Sequence, residues 1–186
     1  MEELYSRLVK GCQSANPHAQ KEVFAILGGK IKAICFRYCS DFHIAEDLMQ
    51  ESFVTVFSKI DQFNNLGSFE GWVKRIAVNT SLQWLRKQKD FILMDNLQYT
   101  KERDWTDHEH EDELLDVISG EKLIQIIAQL PKGYRVVLNL HAIEGYSHRE
   151  IGEKLGVTEV TSRTQYHRAK NLLKLKILQE LKLVHS

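Results

Sequence analysis

The chain has 186 residues, 43% of them hydrophobic, with 25 basic and 25 acidic side chains and no formal net charge. The length fits one larger domain or two small ones, and the balance excludes a protein that coats nucleic acid through overall charge alone. No basic stretch followed by an apolar run opens the chain, no run is long enough for a bilayer, and three cysteines make no disulfide framework; a cytoplasmic protein without membrane insertion is expected.

Proline occurs only twice, and apolar residues recur at spacings of three and four, which predicts an all-α fold. The charge is segregated. Residues 1–89 carry 12 basic and 9 acidic side chains, residues 90–120 carry 2 and 10, and residues 121–186 carry 11 and 6. Two small basic helical domains joined by an acidic flexible linker follow from that pattern, with borders at 1–90, 91–117 and 118–186.

In chain order, a short helix is expected from Glu2 to Gly11. Asn16-Pro17 then reads as an N-cap and a first-turn proline. The helix that follows places Val23, Phe24, Leu27, Ile31, Ile34, Cys35 and Tyr38 inward, and Gly28-Gly29 is expected to weaken or bend it. Residues 41–60 form one apolar stripe of Ala45, Leu48, Met49, Ser52, Phe53, Val56, Phe57 and Ile60. Glu46, Asp47, Gln50 and Glu51 lie on the other side, either as a solvated face or as a docking face for a basic or polar partner. Residues 61–67 read as a loop, and Ser68 as the cap of a basic helix. Its inner face is expected to carry Phe69, Trp72, Val73, Ile76, Ala77, Thr80 and Trp84, with Lys74, Arg75, Arg86, Lys87 and Lys89 elsewhere. Aromatic rings beside cations suit single-stranded nucleic acid, where each stacked base contributes about 1–3 kcal/mol; a Trp and Phe stripe at helical spacing is more often core.

Beyond the linker, Leu123, Ile124, Ile127 and Leu130 mark a helix ended by Pro131, and Tyr134, Val137, Leu138 and His141 mark the next. Ser147 and Glu150 make a capping box that opens a helix closed by Gly156. Thr158 caps a last helix from about Glu159 to Leu183. Ile151, Leu155, Val157 and Val160 are expected to pack these two helices together as a helix-turn-helix. Thr161, Arg163, Thr164, Gln165, His167, Arg168 and Lys170 are then left outside, where Arg can pair with guanine and Gln with adenine.

No Gly-rich phosphate loop, HExxH or paired CxxC is present, so no catalytic residue, cofactor or metal is assigned and no enzyme is expected. Cys35, Cys39 and His43 recur every four residues, a spacing that buried cysteines and a helix-end histidine explain. His108 and His110 lie in the acidic segment without making a site.

Taken together, "AEDLMQESFVTVFSKIDQF…SFEGWVKRIAVNTSLQWLRKQ" resembles the second region of bacterial sigma factors, and "IAQLPKGYRVVLNLHAIEGYSHREIGEKLGVTEVTSRTQYHRAKNLL" their fourth region. With only a linker between, the chain resembles an extracytoplasmic-function sigma factor of the sigma-70 family. The resemblance implies that Asp47, Gln50, Glu51 and Phe53 dock on the β′ clamp helices of core RNA polymerase. It implies that Phe63, Asn64, Arg75, Asn79 and Thr80 meet the −10 promoter element, melting it and trapping a flipped base. Thr161, Arg163, Thr164, Gln165, His167, Arg168 and Lys170 are implied at the −35 element. Promoter DNA, the β flap and an anti-sigma factor are the further partners implied. Arg163-Thr164-Gln165 stands where many members have Lys/Arg-Ser-Arg, Ser162 where valine is frequent, and Gln83 where an acid is common. The linker acids Asp104, Asp107, Glu109, Glu111, Asp112 and Glu113 either line a basic RNA channel or form a spacer. The rival readings are a stand-alone helix-turn-helix regulator and a helical adaptor for protein partners.

Overall fold

The computed structural model describes residues 2–88 and 118–184, and every regular element among them is helical. The linker, with its acids, His108 and His110, lies outside the described residues. Contacts divide the chain into two compact units, residues 1–88 and 89–186.

The first unit contains α1 (Glu2–Gln13), α2 (Pro17–Cys39), α3 (Phe42–Ser58), a 3₁₀ turn (Ile60–Gln62) and α4 (Phe69–Lys87). Helix α1 runs two residues past the expected stop, because Gly11 serves close packing instead of termination: a Cβ there would lie 2.6 Å from that of Ala19. Asn16 caps α2, its Oδ1 accepting from His18 N at 2.9 Å, and Pro17 takes the first helical position. Asp41 caps α3 in the same way, accepting from His43 and Ile44 N–H. Those N–H bonds, Ile44 first, hold its carboxyl below the usual value.

Val23, Leu27, Ile31, Cys35 and Tyr38 of α2 are wholly buried against Ala45, Leu48, Phe53 and Val56 of α3. Each such large side chain contributes about 1.5–3 kcal/mol relative to exposure. Helix α2 runs continuously through Gly28 and Gly29. Two expectations are corrected. Phe24 is 40% exposed, although its ring meets Phe53 at 4.8 Å. On α4 the buried set is Phe69, Val73, Ala77, Val78, Ser81, Leu82 and Leu85, with Thr80, while Trp72, Ile76 and Trp84 are only half-buried. The physical reason is that α4 packs on both α2 and α3, so its inner face is broader than one stripe.

The second unit contains α5 (Gly120–Ala128), α6 (Lys132–Leu138) running into a π-helical turn (Asn139–Ile143), α7 (His148–Leu155) and α8 (Glu159–Val184). Ile127, Leu130, Tyr134, Leu138 and Ala169 form its core, with Leu123, Tyr166, Leu172 and Leu173 packed against them. Arg135 is buried and donates to the carbonyls of Ala128 (2.8 Å) and Leu130 (3.3 Å), satisfying the end of α5. The expected capping box is present: Glu150 N donates to Ser147 Oγ and Ser147 N to Glu150 Oε2. Gly156 closes α7 at φ 72°, a conformation other residues adopt at a cost. Gly152 has a different task, since a Cβ there would lie 2.7 Å from the Val157 carbonyl oxygen. The turn between α7 and α8 is therefore folded directly onto the α7 backbone.

Candidate nucleic-acid and protein interfaces

Three surfaces gather the sequence-predicted residues. The first is the outer face of α3. Asp47, Gln50 and Glu51 are exposed at i, i+3 and i+4, and Val54, 69% exposed, continues the stripe at i+7. Glu46 beside them is tied to Lys32 at 2.7 Å, whereas among the described residues no cation pairs with Asp47 or Glu51. Phe53 does not belong to this surface. It is 3% exposed and packs against Phe24 and Phe57, because its position falls on the apolar side of the same helix.

The second surface is the loop after α3 with the start of α4. Asn64 Oδ1 accepts from Leu66 N at 3.2 Å, Asn65 has φ 60° and Gly67 φ 129°, so the loop turns tightly and leaves Leu66 87% exposed. An open groove of about 430 Å³ runs beside it, lined by Tyr5, Val9, Phe63, Asn65, Ser68 and Phe69 among others. Phe63 and Thr80, both named for the −10 element, are buried, Thr80 on the inner face where it was expected. Phe63 is 7% exposed, its ring 5.4 Å from Phe69 and 5.5 Å from Trp72. Thr80 is 6% exposed, turned toward the helices that α4 covers. Arg75 and Asn79, one turn apart on α4, are exposed. Behind them Glu70 binds Lys74 at 2.8 Å and Lys30 at 2.9 Å and accepts from Tyr5 Oη at 3.2 Å. Those two lysines, Lys74 first, pull its carboxyl down to about 2. Burial pushes the Cys35 thiol up to about 11, which leaves it protonated inside the core.

The third surface is the first half of α8. Thr158 Oγ1 accepts from Thr161 N at 3.0 Å and fixes the helix start. Arg163, Thr164, His167 and Arg168 are exposed, and Thr161 and Lys170 half-buried. Gln165, expected outside, is 5% exposed, and Val160, expected inside, is 71% exposed. The helix is rotated from the expected setting because Ser162, Gln165 and Ala169 face the unit's interior. Ser162 shares a 3.0 Å hydrogen bond with His148 Nδ1 across the helix pair. The His148 ring stacks on His141 at 4.1 Å, and Tyr166 meets His141 edge-on at 4.5 Å. Burial first, then the neighbouring His141, pushes the His148 pKa down. Sequence reasoning missed this polar contact by assuming that packed helices meet through apolar residues. The signal was available in the i, i+3, i+7 spacing of Ser162, Gln165 and Ala169. Arg163 is held by Glu159 through Nε (3.2 Å) and a terminal nitrogen (2.5 Å).

The family description for sigma-70 region 2 matches residues 24–91, and that for sigma-70 region 4 matches residues 120–173. The chain is similar to the extracytoplasmic-function sigma factor SigW of Bacillus subtilis, 29% identical over 182 residues, covering 94% of this chain and 97% of that one. It is 32% identical over 165 residues to SigE of Mycolicibacterium smegmatis, covering 88% of this chain and 63% of the relative. Among solved structures it is similar to the sigma factor RpoE of Bartonella quintana in complex with the anti-sigma factor NepR, with a TM-score of 0.49, 18% identity, and coverage of 86% and 96%. Two sigma-region matches in one chain, one following the other, favour a polymerase-directed protein over a stand-alone regulator. The chain belongs to the sigma-70 family and, within it, to the extracytoplasmic-function RNA polymerase sigma factors.

Proposed function

We propose the following division of labour in this sigma factor. Residues 1–90 hold core polymerase and open the −10 element, residues 118–186 read the −35 duplex, and residues 91–117 join them. The observation that carries the reading is the α3 face: two carboxylates and an amide, exposed around Val54, the carboxylates paired with no cation among the described residues. Such a face is complementary to a basic helical partner, and the β′ clamp helices are the partner assigned to it. Phe53 supports this face from beneath.

At the −10 element, Asn64, Arg75 and Asn79 make the direct contacts. Phe63 and Thr80 act from behind, with Phe63 forming one wall of the groove that takes a flipped base. Extruding a base costs a few kcal/mol, and an aromatic-walled recess compensates for the lost stacking. At the −35 element, Arg163, Thr164, His167 and Arg168 face the major groove, flanked by Thr161 and Lys170, while Gln165 holds the helix orientation. The β flap is the polymerase partner of this unit. The chain makes no bond itself; phosphodiester synthesis belongs to polymerase. It works in the cytoplasm with the chromosome, and an anti-sigma factor controls it by covering these same faces. No helix among the described residues is long and apolar enough to cross a membrane.

The test adds the purified chain to bacterial core polymerase with a library of genomic fragments. Transcription from defined starts that depend on the chain is expected. Glu51→Lys should lower core affinity by more than about tenfold, with helical content retained. Absence of core binding together with tight duplex binding by the chain alone would replace this reading with the stand-alone regulator.

A further inference from the structure

The outward stripe of α8 is polar except at one position. Ser162, Gln165 and Ala169 face inward, so Val160, Arg163, Thr164 and His167 share the opposite side at i, i+3, i+4 and i+7. Three of these side chains carry groups that can hydrogen-bond. Val160 cannot, and at 71% exposure its isopropyl group stands in solvent on the first turn of the helix. The guanidinium of Arg163 is tied to Glu159 and does not cover it.

The first turn of the second helix in a helix-turn-helix is the part that meets base edges. Along the major groove the bases offer hydrogen-bond donors and acceptors and one apolar group, the C5 methyl of thymine. We propose that Val160 is a specificity-determining residue that reads a thymine methyl in the −35 element. The inference rests on the assignment of α8 to the −35 duplex. Val160 and Arg163 are about 4.5 Å apart along the helix axis, against about 3.4 Å per base step. The thymine therefore lies within about two base pairs of the base that Arg163 contacts. Burying one methyl group corresponds to about a fourfold effect on binding.

The experiment uses holoenzyme, made from core polymerase and the full chain, on a promoter identified by the transcription assay. Each −35 thymine is replaced in turn by deoxyuridine, which keeps every hydrogen-bonding group and removes only the methyl. One replacement should weaken promoter binding about fourfold. Holoenzyme carrying Val160→Ala should bind the thymine promoter correspondingly less well and should not distinguish thymine from deoxyuridine there. Val160 is on the surface, so the variant should keep its helical content. Insensitivity to deoxyuridine at every position overturns the inference, as does a methyl effect that persists in Val160→Ala. Loss of core affinity with promoter discrimination intact also overturns it, because it would make Val160 a protein contact. Arg163→Ala separates the two levels of the argument. If that variant discriminates among −35 sequences as the unaltered chain does at every position, α8 is not the reader and the underlying assignment fails. If it loses discrimination while the methyl is immaterial, only the Val160 inference fails.

Discussion

Gly28 and Gly152 are both buried glycines inside helices, and they do opposite things. A Cβ on Gly28 would meet the Phe24 ring at 3.7 Å and Met49 Sδ at 3.9 Å, ordinary contact distances. A Cβ on Gly152 would press on a backbone oxygen at 2.7 Å. The first unit packs helices through side chains, which leaves room at Gly28. The second folds a turn onto a helix backbone, which leaves none. The position of α8 therefore depends on one missing methyl group in the helix before it.

Gly152→Ala should produce the largest effect. The Val157 carbonyl cannot yield as a flexible side chain would, and overpacking of this kind costs about 1–3 kcal/mol. Because the strain falls at the α7–α8 turn, amide exchange in α8 should accelerate and −35 discrimination by holoenzyme should weaken, while the first unit is unchanged. Gly28→Ala should go the other way, stabilising the first unit by up to about 1 kcal/mol, since alanine replaces glycine inside a helix with space available. If both substitutions shift urea midpoints in the same direction, the contrast between the two units does not hold.

Acid should separate the units as well. Folding lowers the His148 pKa from its ordinary 6.5, so the stability it contributes is complete above 6.5 and drains as pH falls toward the lowered value. Glu70 in the first unit is lowered from 4.5 to about 2, so its contribution is complete above 4.5 and is lost only on the way down to 2. The other resolved carboxyl shifts, at Asp41, Glu46, Glu150 and Glu159, are also downward and belong to the more acidic range. Between pH 7 and pH 5.5 the second unit should lose stability and the first should not, as read by amide exchange in each. Equal losses in both units would remove His148 as the cause.

The same contrast explains what the sequence made legible. The α3 stripe was readable almost residue by residue, because one helix face meets an apolar core and hydrophobic periodicity reports that directly. Caps were readable at Asn16, Ser68, Ser147 and Gly156, because they depend on local chemistry. The α4 stripe was only partly readable, since two neighbours widen its buried face. The rotation of α8 was misread because its inner face is polar at Ser162 and Gln165 while an apolar residue, Val160, points out. Periodicity put Phe53 and Thr80 on inner stripes, where both are buried. The family motifs that name Phe53, Phe63, Thr80 and Gln165 do not say which side of the backbone each side chain occupies.

The smallest predicted effects make the sharpest comparison. Ser52 and Ser162 are both completely buried. Ser52 Oγ donates to the Leu48 carbonyl of its own helix at 2.6 Å. That carbonyl retains its backbone partner without the hydroxyl, so Ser52→Ala should change stability by no more than about 0.5 kcal/mol. Ser162 instead bonds His148 on the preceding helix, and Ser162→Ala leaves that ring nitrogen without its partner in a half-buried place. A loss of about 0.5–1.5 kcal/mol is expected. The Ser162 loss should also shrink in His148→Phe, where no ring nitrogen remains to be stranded. A double-mutant cycle between the two positions reads that coupling directly. No coupling would mean that the α7–α8 contact is held by shape alone.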